Sequence, residues 1–256
     1  MCGRFTAISQ EELEDVVRSV EEAIAASAAA DATAAVGATM ADGAAGLSPT
    51  ASAPGPLVTP GSTAPVLVHA GPWHQEKGTC CGSGCGKCPW TRNPLAVKSM
   101  ELTWGFEVDW QKQPVFNTRI EHAGDLGSMW AESLGHRHCV VPVHRFFEPH
   151  QNEVVVSPRT GKTTKRQYAF GPAEGSPLPW LLLAGVFSND RFSVVTTEPN
   201  AVMRPIHDRM PLVLEPHEVA TWLSPDYAQL ADRSRTQLHA APEHPDVPSF
   251  QQLTLF

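Results

Sequence analysis

At 256 residues, 42% of them hydrophobic, the chain can hold one large domain or two small ones around a sizeable core. No stretch is long and apolar enough to span a membrane, and the first residues lack the basic-then-apolar pattern of a signal peptide, so no membrane partner is expected. Six cysteines, four of them packed between residues 80 and 88, do not form an extracellular disulfide framework, which points to a reducing intracellular compartment: cytoplasm or nucleoid in a bacterium, nucleus in a eukaryote. The net charge of −8 does not exclude a nucleic-acid partner, because residues 11–42 hold eight acids and one base and everything else sums to −1. A near-neutral body can still carry a basic cleft.

Residues 10–24, QEELEDVVRSVEEAI, read as an amphipathic helix, with Leu13, Val16, Val17, Val20 and Ile24 at helical spacing and acids in the first turn, where the helix dipole favours them. From 25 to 67 the composition falls to Ala, Gly, Ser, Thr and Pro and reads as a low-complexity, disordered insert, with an Ala-rich helix within 25–36 as the competing reading. A cysteine-rich segment occupies 68–98. Between 99 and 225, RHCVVPVHRFF, WLLLAGVF, RFSVVTT and PLVLE are strand-like runs bounded by turn residues, while HEVATWL and the residues around Ser128–Leu134 read as short helices. Strands outnumber helices without alternating regularly with them. This predicts an α+β fold, a mainly antiparallel curved sheet or partial barrel with a few flanking helices, interrupted by the insert and followed by a Pro-containing tail at 226–256. The domain itself is expected to comprise 1–24 and 99–225.

Four polar pieces sit in strand-like or turn-like contexts: MCGRF at the start, PVFNTRIEH at 114–122, CVVPVHRFFEPH at 139–150 and PIHDRMPLVL at 205–214. Each alone is compatible with a structural role. In this order, together with TWGFEVDW at 103–110, they resemble the SRAP family (SOS-response-associated peptidases), whose members capture abasic sites in DNA covalently. The family pattern runs from Met-Cys-Gly-Arg through a Trp-Gly segment, an Asn-containing stretch and an aromatic-Glu segment to a closing His-x-Arg-Met-Pro. This chain departs from it at Arg145-Phe146-Phe147-Glu148-Pro149, where the family usually shows Gly-Phe-Tyr-Glu-Trp.

The resemblance gives the start of the chain a chemical meaning. Loss of Met1, attributed in the family to self-processing, leaves Cys2 with a thiol and a free α-amine. That pair condenses with the ring-opened aldehyde of an abasic site, first as a Schiff base and then as a five-membered thiazolidine, with proximity making ring closure unimolecular. An α-amine titrates near 7.7–8.0, so a useful fraction is neutral at physiological pH, as a lysine is not. The resemblance implies that Asn117 holds the Cys2 end or the opened sugar, that Glu148 shuttles protons and assists loss of Met1, and that His207 donates to the sugar oxygen or acts in reversal. Arg4 and Arg119, and more weakly Arg209, are placed to bind flanking phosphates. Arg209 has pairing with a carboxylate as its alternative. Trp104 and Trp110 suit stacking on unpaired bases, with core packing as the competing reading, and Phe146 and Phe147 read as core. Single-stranded DNA is the expected substrate and a monomer the expected state, with AP-lyase activity as a side reaction. No cofactor is required. An N-terminal-nucleophile cysteine amidohydrolase, with the α-amine as base, and a non-enzymatic metal-binding adaptor remain as alternatives.

Two features fall outside that pattern. Cys80, Cys81, Cys85 and Cys88, in GTCCGSGCGKCPW, resemble the short cysteine module of oxidoreductase-like proteins; four thiolates would suit Zn²⁺, with free or redox-active thiols and intermolecular bridging as alternatives. Cys139 reads as a buried apolar residue. The terminal QLTLF resembles the peptides by which bacterial replication and repair proteins dock on the sliding clamp, with Gln252 as polar anchor and Leu253, Leu255 and Phe256 filling an apolar pocket.

Overall fold

The structure, a computed structural model, describes residues 2–34, 55–69, 97–125, 127–157 and 160–244. In chain order the elements are β1 (Arg4–Ala7), α1 (Gln10–Ala34), β2 (Leu57–Val58), β3 (Thr63–His69), β4 (Val97–Trp104), β5 (Phe106–Val108), β6 (Gln111–Val115), β7 (Asn117–Arg119), α2 (Ile120–Ala123), α3 (Ala131–His136), β8 (His138–Val156), β9 (Thr163–Pro172), β10 (Leu181–Ser188), β11 (Arg191–Thr197), β12 (Met210–Pro211), β13 (Val213–Leu214), α4 (Val219–Trp222) and β14 (Leu238–Pro242). Short 3-10 turns at Pro216–Glu218 and Pro225–Leu230 flank α4. The expected α+β class is the observed one: a large curved sheet, mostly antiparallel, with few helices and without barrel closure.

Strand β8 organises that sheet, pairing with β1, β3, β9 and β10. Its side chains alternate between two apolar layers, as the two-residue period of a strand requires. Cys139, Val141, Val143 and Phe146 join Phe5, Trp104, Phe170, Leu183, Phe192 and Val194 in the inner layer. Val140 faces the other way, with Leu67, Leu182, Ala184 and Val195. Over that second layer lies α1, burying Leu13, Val16, Val20 and Ile24 of the predicted stripe, with Val17 partly buried beside them. A sheet covered on both faces explains why WLLLAGVF is a continuous apolar run rather than an alternating one.

Local chemistry fixes the ends of these elements. Ser9 caps α1: its Oγ accepts from the Glu12 backbone N–H (3.3 Å), and the Glu12 carboxylate accepts from the Ser9 N–H (2.7 Å). Gly105 ends β4 at φ +102°, and a Cβ there would lie 2.9 Å from that of Pro114, so this turn requires glycine.

Two boundaries differ from expectation. Helix α1 continues to Ala34 instead of ending at 24, so the competing reading of an Ala-rich helix within 25–36 is the observed one: the alanine run after Ile24 is a strong helix former with no Gly or Pro before residue 37. Residues 57–69, read from composition as the end of a low-complexity insert (to 67) and the start of the cysteine-rich segment, supply β2 and β3 to the main sheet; APVLVH is a strand-forming run that the surrounding Gly and Pro mask in a compositional average. The cysteine cluster Cys80, Cys81, Cys85 and Cys88 and the tail residues Gln252, Leu253, Leu255 and Phe256 lie outside the described residues.

His138, at the start of β8, is buried between Trp222 (ring centroids 4.9 Å) and Tyr227 (4.7 Å). Burial depresses its pKa to about 4. The unfolded chain therefore takes up this proton before the folded one does, and stability falls as pH drops from about 6.5, the unfolded value, through about 4. His138→Phe, which keeps the ring packing, is expected to remove about 1–3 kcal/mol of the stability difference between pH 7 and pH 4, read from denaturant melts at the two values. An unchanged pH dependence would show that other groups carry the acid sensitivity.

Candidate active site

Pairing of β1 with β8 brings the start of the chain against Glu148. Arg4 lies opposite Phe147 and Phe5 opposite Phe146, so Cys2, two residues before Arg4, falls beside the next residues of β8. Cys2 and Glu148 are both fully buried. The thiol donates to the Arg4 carbonyl oxygen (3.6 Å). Burial first, and the neighbouring Glu148 charge second, push the thiol pKa far above its usual range. Burial likewise raises Glu148 to about 7, opposed by the positive charge of the chain's amino terminus and reinforced by Asp208. A carboxyl poised near neutrality is suited to proton transfer in both directions.

Asn117 arrives from another part of the sheet. It begins β7, which runs parallel to β11, and its Nδ2 donates to the Cys2 carbonyl oxygen (2.9 Å). Its Oδ1 is buried and has no partner among the described residues. His207 lies on the loop between β11 and β12, which is tied to β8 where the Gln151 N–H donates to the Ile206 carbonyl (2.9 Å), three residues past Glu148. The His207 Nδ1 accepts from the Arg209 N–H (3.1 Å) and lies 3.0 Å from the Asp208 carboxylate. The same Nδ1 lies 3.2 Å from the Arg209 carbonyl oxygen, so it faces one donor and two acceptors and these contacts do not fix which ring nitrogen carries the proton. Partial burial lowers the His207 pKa, with the amino terminus and Lys165 acting in the same direction and Asp208 against them.

The structure thus assembles Cys2, Asn117, Glu148 and the His207 loop from four distant stretches. The residues expected to face DNA are distributed differently. Arg119 is exposed, has no ion pair among the described residues, and lines a cavity of about 300 Å³ with Asn117, His122, Ser128 and Trp130. Trp110 is 70% exposed in the turn between β5 and β6. Trp104 is not a stacking platform. It is fully buried against Phe5 and Phe192, and its Nε1 donates to the Phe116 carbonyl (2.8 Å), because its position in β4 points into the inner layer. Arg209 is taken up by Glu121 through two hydrogen bonds (2.9 and 2.8 Å) and by the Thr196 carbonyl (2.9 Å), so the carboxylate-pairing alternative is the observed one. Arg4 is ion-paired with Glu243. Phe146, Phe147 and Cys139 are buried, as read.

Glu121, Asp208 and Glu243 carry charge into this region and were not singled out from sequence. Glu121 had a signal, since it lies within the same PVFNTRIEH piece as Asn117 and Arg119. Glu243 had none, because nothing local marks a glutamate in the Pro-containing tail as a partner of residue 4. Among the described residues no group of three or more His, Cys, Asp or Glu side chains is arranged to hold a metal ion, and no helix is long and apolar enough to cross a membrane.

Comparison with known proteins agrees with this geometry. Residues 1–249 match the family model of SOS response associated peptidase (SRAP). Among curated relatives, the abasic site processing protein YoqW of Bacillus subtilis is 26% identical over 148 residues, covering 50% of this chain and 61% of that protein. YoaM of the same organism, also named an abasic site processing protein, is 28% identical over 141 residues, covering 50% of this chain and 60% of that one. Two crystal structures of Bordetella bronchiseptica proteins share the fold. One aligns at TM-score 0.55 and 16% identity over 95% of this chain and 100% of its own. The other, a phage-related protein, aligns at 0.53 and 17% over 96% of each. The matched stretches span about three fifths of the curated relatives. With the family model covering nearly the whole chain and the four polar pieces of its pattern gathered in one place, this protein belongs to the SOS response associated peptidase family.

Proposed function

We propose that this protein captures abasic sites in single-stranded DNA through a thiazolidine formed by Cys2 after Met1 is removed. The observation that carries the reading is the hydrogen bond from Asn117 to the Cys2 carbonyl, in a buried setting beside a carboxyl raised to about 7.

In the proposed sequence, water attacks the Met1 carbonyl while Glu148 takes its proton and returns one to the departing Cys2 nitrogen. The freed α-amine then attacks the sugar aldehyde. Loss of water gives the Schiff base, with Glu148 protonating the leaving hydroxyl. The thiol adds to the imine carbon, forming the S–C bond, and its proton passes to nitrogen. The net change is aldehyde plus aminothiol to thiazolidine plus water, without a cofactor. His207 assists sugar ring opening as a donor to the ring oxygen, and Asn117 Oδ1 is an acceptor open to the new α-amine. The raised thiol pKa supports amine attack first, because a protonated thiol is a weak nucleophile until the imine lies next to it. The same property weighs against the amidohydrolase alternative, in which the thiol itself must attack an unactivated amide. Arg119 and Trp110 are the DNA-facing candidates that remain open to solvent.

The test is incubation with a single-stranded oligonucleotide bearing one abasic site, followed by a denaturing gel and intact mass. A heat-stable product is expected, its mass that of the processed protein plus DNA less one water, absent with Cys2→Ala and with intact DNA. Asn117→Ala is expected to slow its formation roughly 10–100-fold through misplacement of residue 2. No product from protein shown to lack Met1 sinks the reading.

Glu148→Gln gives a second, opposite pair of outcomes. The folded state holds the Glu148 proton more tightly than the unfolded chain, so wild-type stability falls as pH rises from about 4.5 to about 7. The variant is expected to lose crosslinking by about 100-fold or more while melting higher than wild type at pH 8, with the advantage shrinking towards pH 5. A variant less stable at pH 8 would contradict the assignment of a costly buried carboxyl.

A further inference from the structure

Arg4 shares the family's opening Met-Cys-Gly-Arg, yet its guanidinium is enclosed. It lies over the Phe147 ring, 4.5 Å from the centroid, and its Nη2 donates to the Gln167 side-chain oxygen (3.4 Å) and to the Glu243 carboxylate. Glu243 is fixed in turn by its backbone N–H, which donates to the Gln167 carbonyl (2.9 Å), directly after β14 pairs with β9. One side chain therefore joins β1 to β8, to β9 and to the segment following β14. Both partners are mostly shielded, with side-chain exposures of 25% and 22%, so the pair is screened less than a surface ion pair.

We infer that Glu243 is a positioning residue: through Arg4 it locks the first strand in register and so places Cys2, and Arg4 is not a phosphate ligand. The link from Arg4 to Cys2 is short and direct. The Cys2 thiol donates to the Arg4 carbonyl, and the Cys2 carbonyl is held by Asn117, so any movement of Arg4 strains the backbone between those two anchors. A phosphate would have to displace a carboxylate already seated on the guanidinium edge, while Phe147 covers one face. Arg119, exposed and without an ion pair among the described residues, has no such competitor.

The crosslinking part of the test rests on the proposed function, and the thiol part does not. Glu243→Gln and the reversed pair Arg4→Glu/Glu243→Arg are compared with wild type in three measurements: Cys2 alkylation by iodoacetamide, followed by peptide mass with Cys139 as the buried internal control; the first-order crosslinking rate at saturating abasic oligonucleotide; and affinity for the intact oligonucleotide across a salt series. Glu243→Gln is expected to speed Cys2 alkylation at least threefold with Cys139 unchanged. It should slow crosslinking by a similar factor and leave affinity and salt slope as in wild type, and the reversed pair should recover both rates at least in part. Tighter binding of intact DNA with a steeper salt slope, and unchanged alkylation, would overturn the inference by showing that Glu243 masks a phosphate-binding arginine. If wild type forms no crosslink, faster alkylation in Glu243→Gln still upholds the lock while the proposed function falls, and unchanged alkylation removes the lock whatever the DNA result.

Discussion

The pairing of β1 with β8 is the constraint on which the rest of the site depends. A chain terminus is ordinarily a frayed, solvated end. Here the antiparallel ladder from Arg4–Phe147 to Ala7–Val143 draws the terminus into the sheet, and Phe5 completes the inner layer between Trp104 and the β8 aromatics. Every unusual property of Cys2 follows from that placement: its burial, its raised thiol pKa, its carbonyl within reach of Asn117, and its proximity to Glu148. A ladder of four residues is a short anchor, which is why side-chain ties beyond the ladder, such as the one from Arg4 to Glu243, bear on where residue 2 sits.

The site also shows how a sheet covered on both faces can carry polar chemistry. Its apolar layers are continuous enough to hold β8 rigid through Phe147, and the next residue, Glu148, stands at the edge of the inner layer where burial is complete. Burial of that carboxyl costs stability at neutral pH, and the surrounding packing offsets the cost. The bulge in the β8–β9 ladder between Pro149 and Val154 follows at once, and the Ile206 carbonyl meets Gln151 within it. The irregularity thus lets the His207 loop close over the same point. Proline after Glu148 fits this arrangement, since it favours extended backbone at Glu148, which the strand requires.

Much of this was legible in the sequence, and what was not has identifiable causes. The strand runs of β8, β10 and β11, the apolar stripe of α1 and the short helices at 131–136 and 219–222 all carry strong local signals. Cys2, Asn117, Glu148 and His207 were found by motif order, and the fold brings them or their loops together. Composition misled at 57–69, where a window dominated by small residues hid a genuine strand. Periodicity could not decide Trp104, because a Trp one residue before a glycine turn can face either way; only pairing in β4 puts it in the core, whereas Trp110, six residues on, lies in the exposed turn. The arginines were the least legible. Arg4, Arg119 and Arg209 look alike in sequence, and their difference is entirely a matter of which distant carboxylate arrives beside each: Glu243, none among the described residues, and Glu121.

For the proposed reaction, the geometry also gives a reason to place the reactive pair on residue 2 rather than on an internal lysine and cysteine. An internal pair would need two side chains held in mutual register, each with its own rotamer freedom to lose. On an N-terminal cysteine the amine and thiol are joined through Cα and Cβ, so one backbone anchor orients both, and the Asn117 bond supplies it. Burial then separates their reactivities. It disfavours the thiolate strongly, which in the proposed reaction would keep the thiol from acting early. Glu148, raised by burial to about 7, is placed in the proposed reaction to exchange a proton with the α-amine near neutral pH. In the proposed reaction the amine is the first nucleophile and the carboxyl its proton partner, and the thiol closes the ring only once an imine carbon is within reach. In that proposal, the enclosure that makes Cys2 a poor thiolate is the feature that would set the order of the two bond-forming steps.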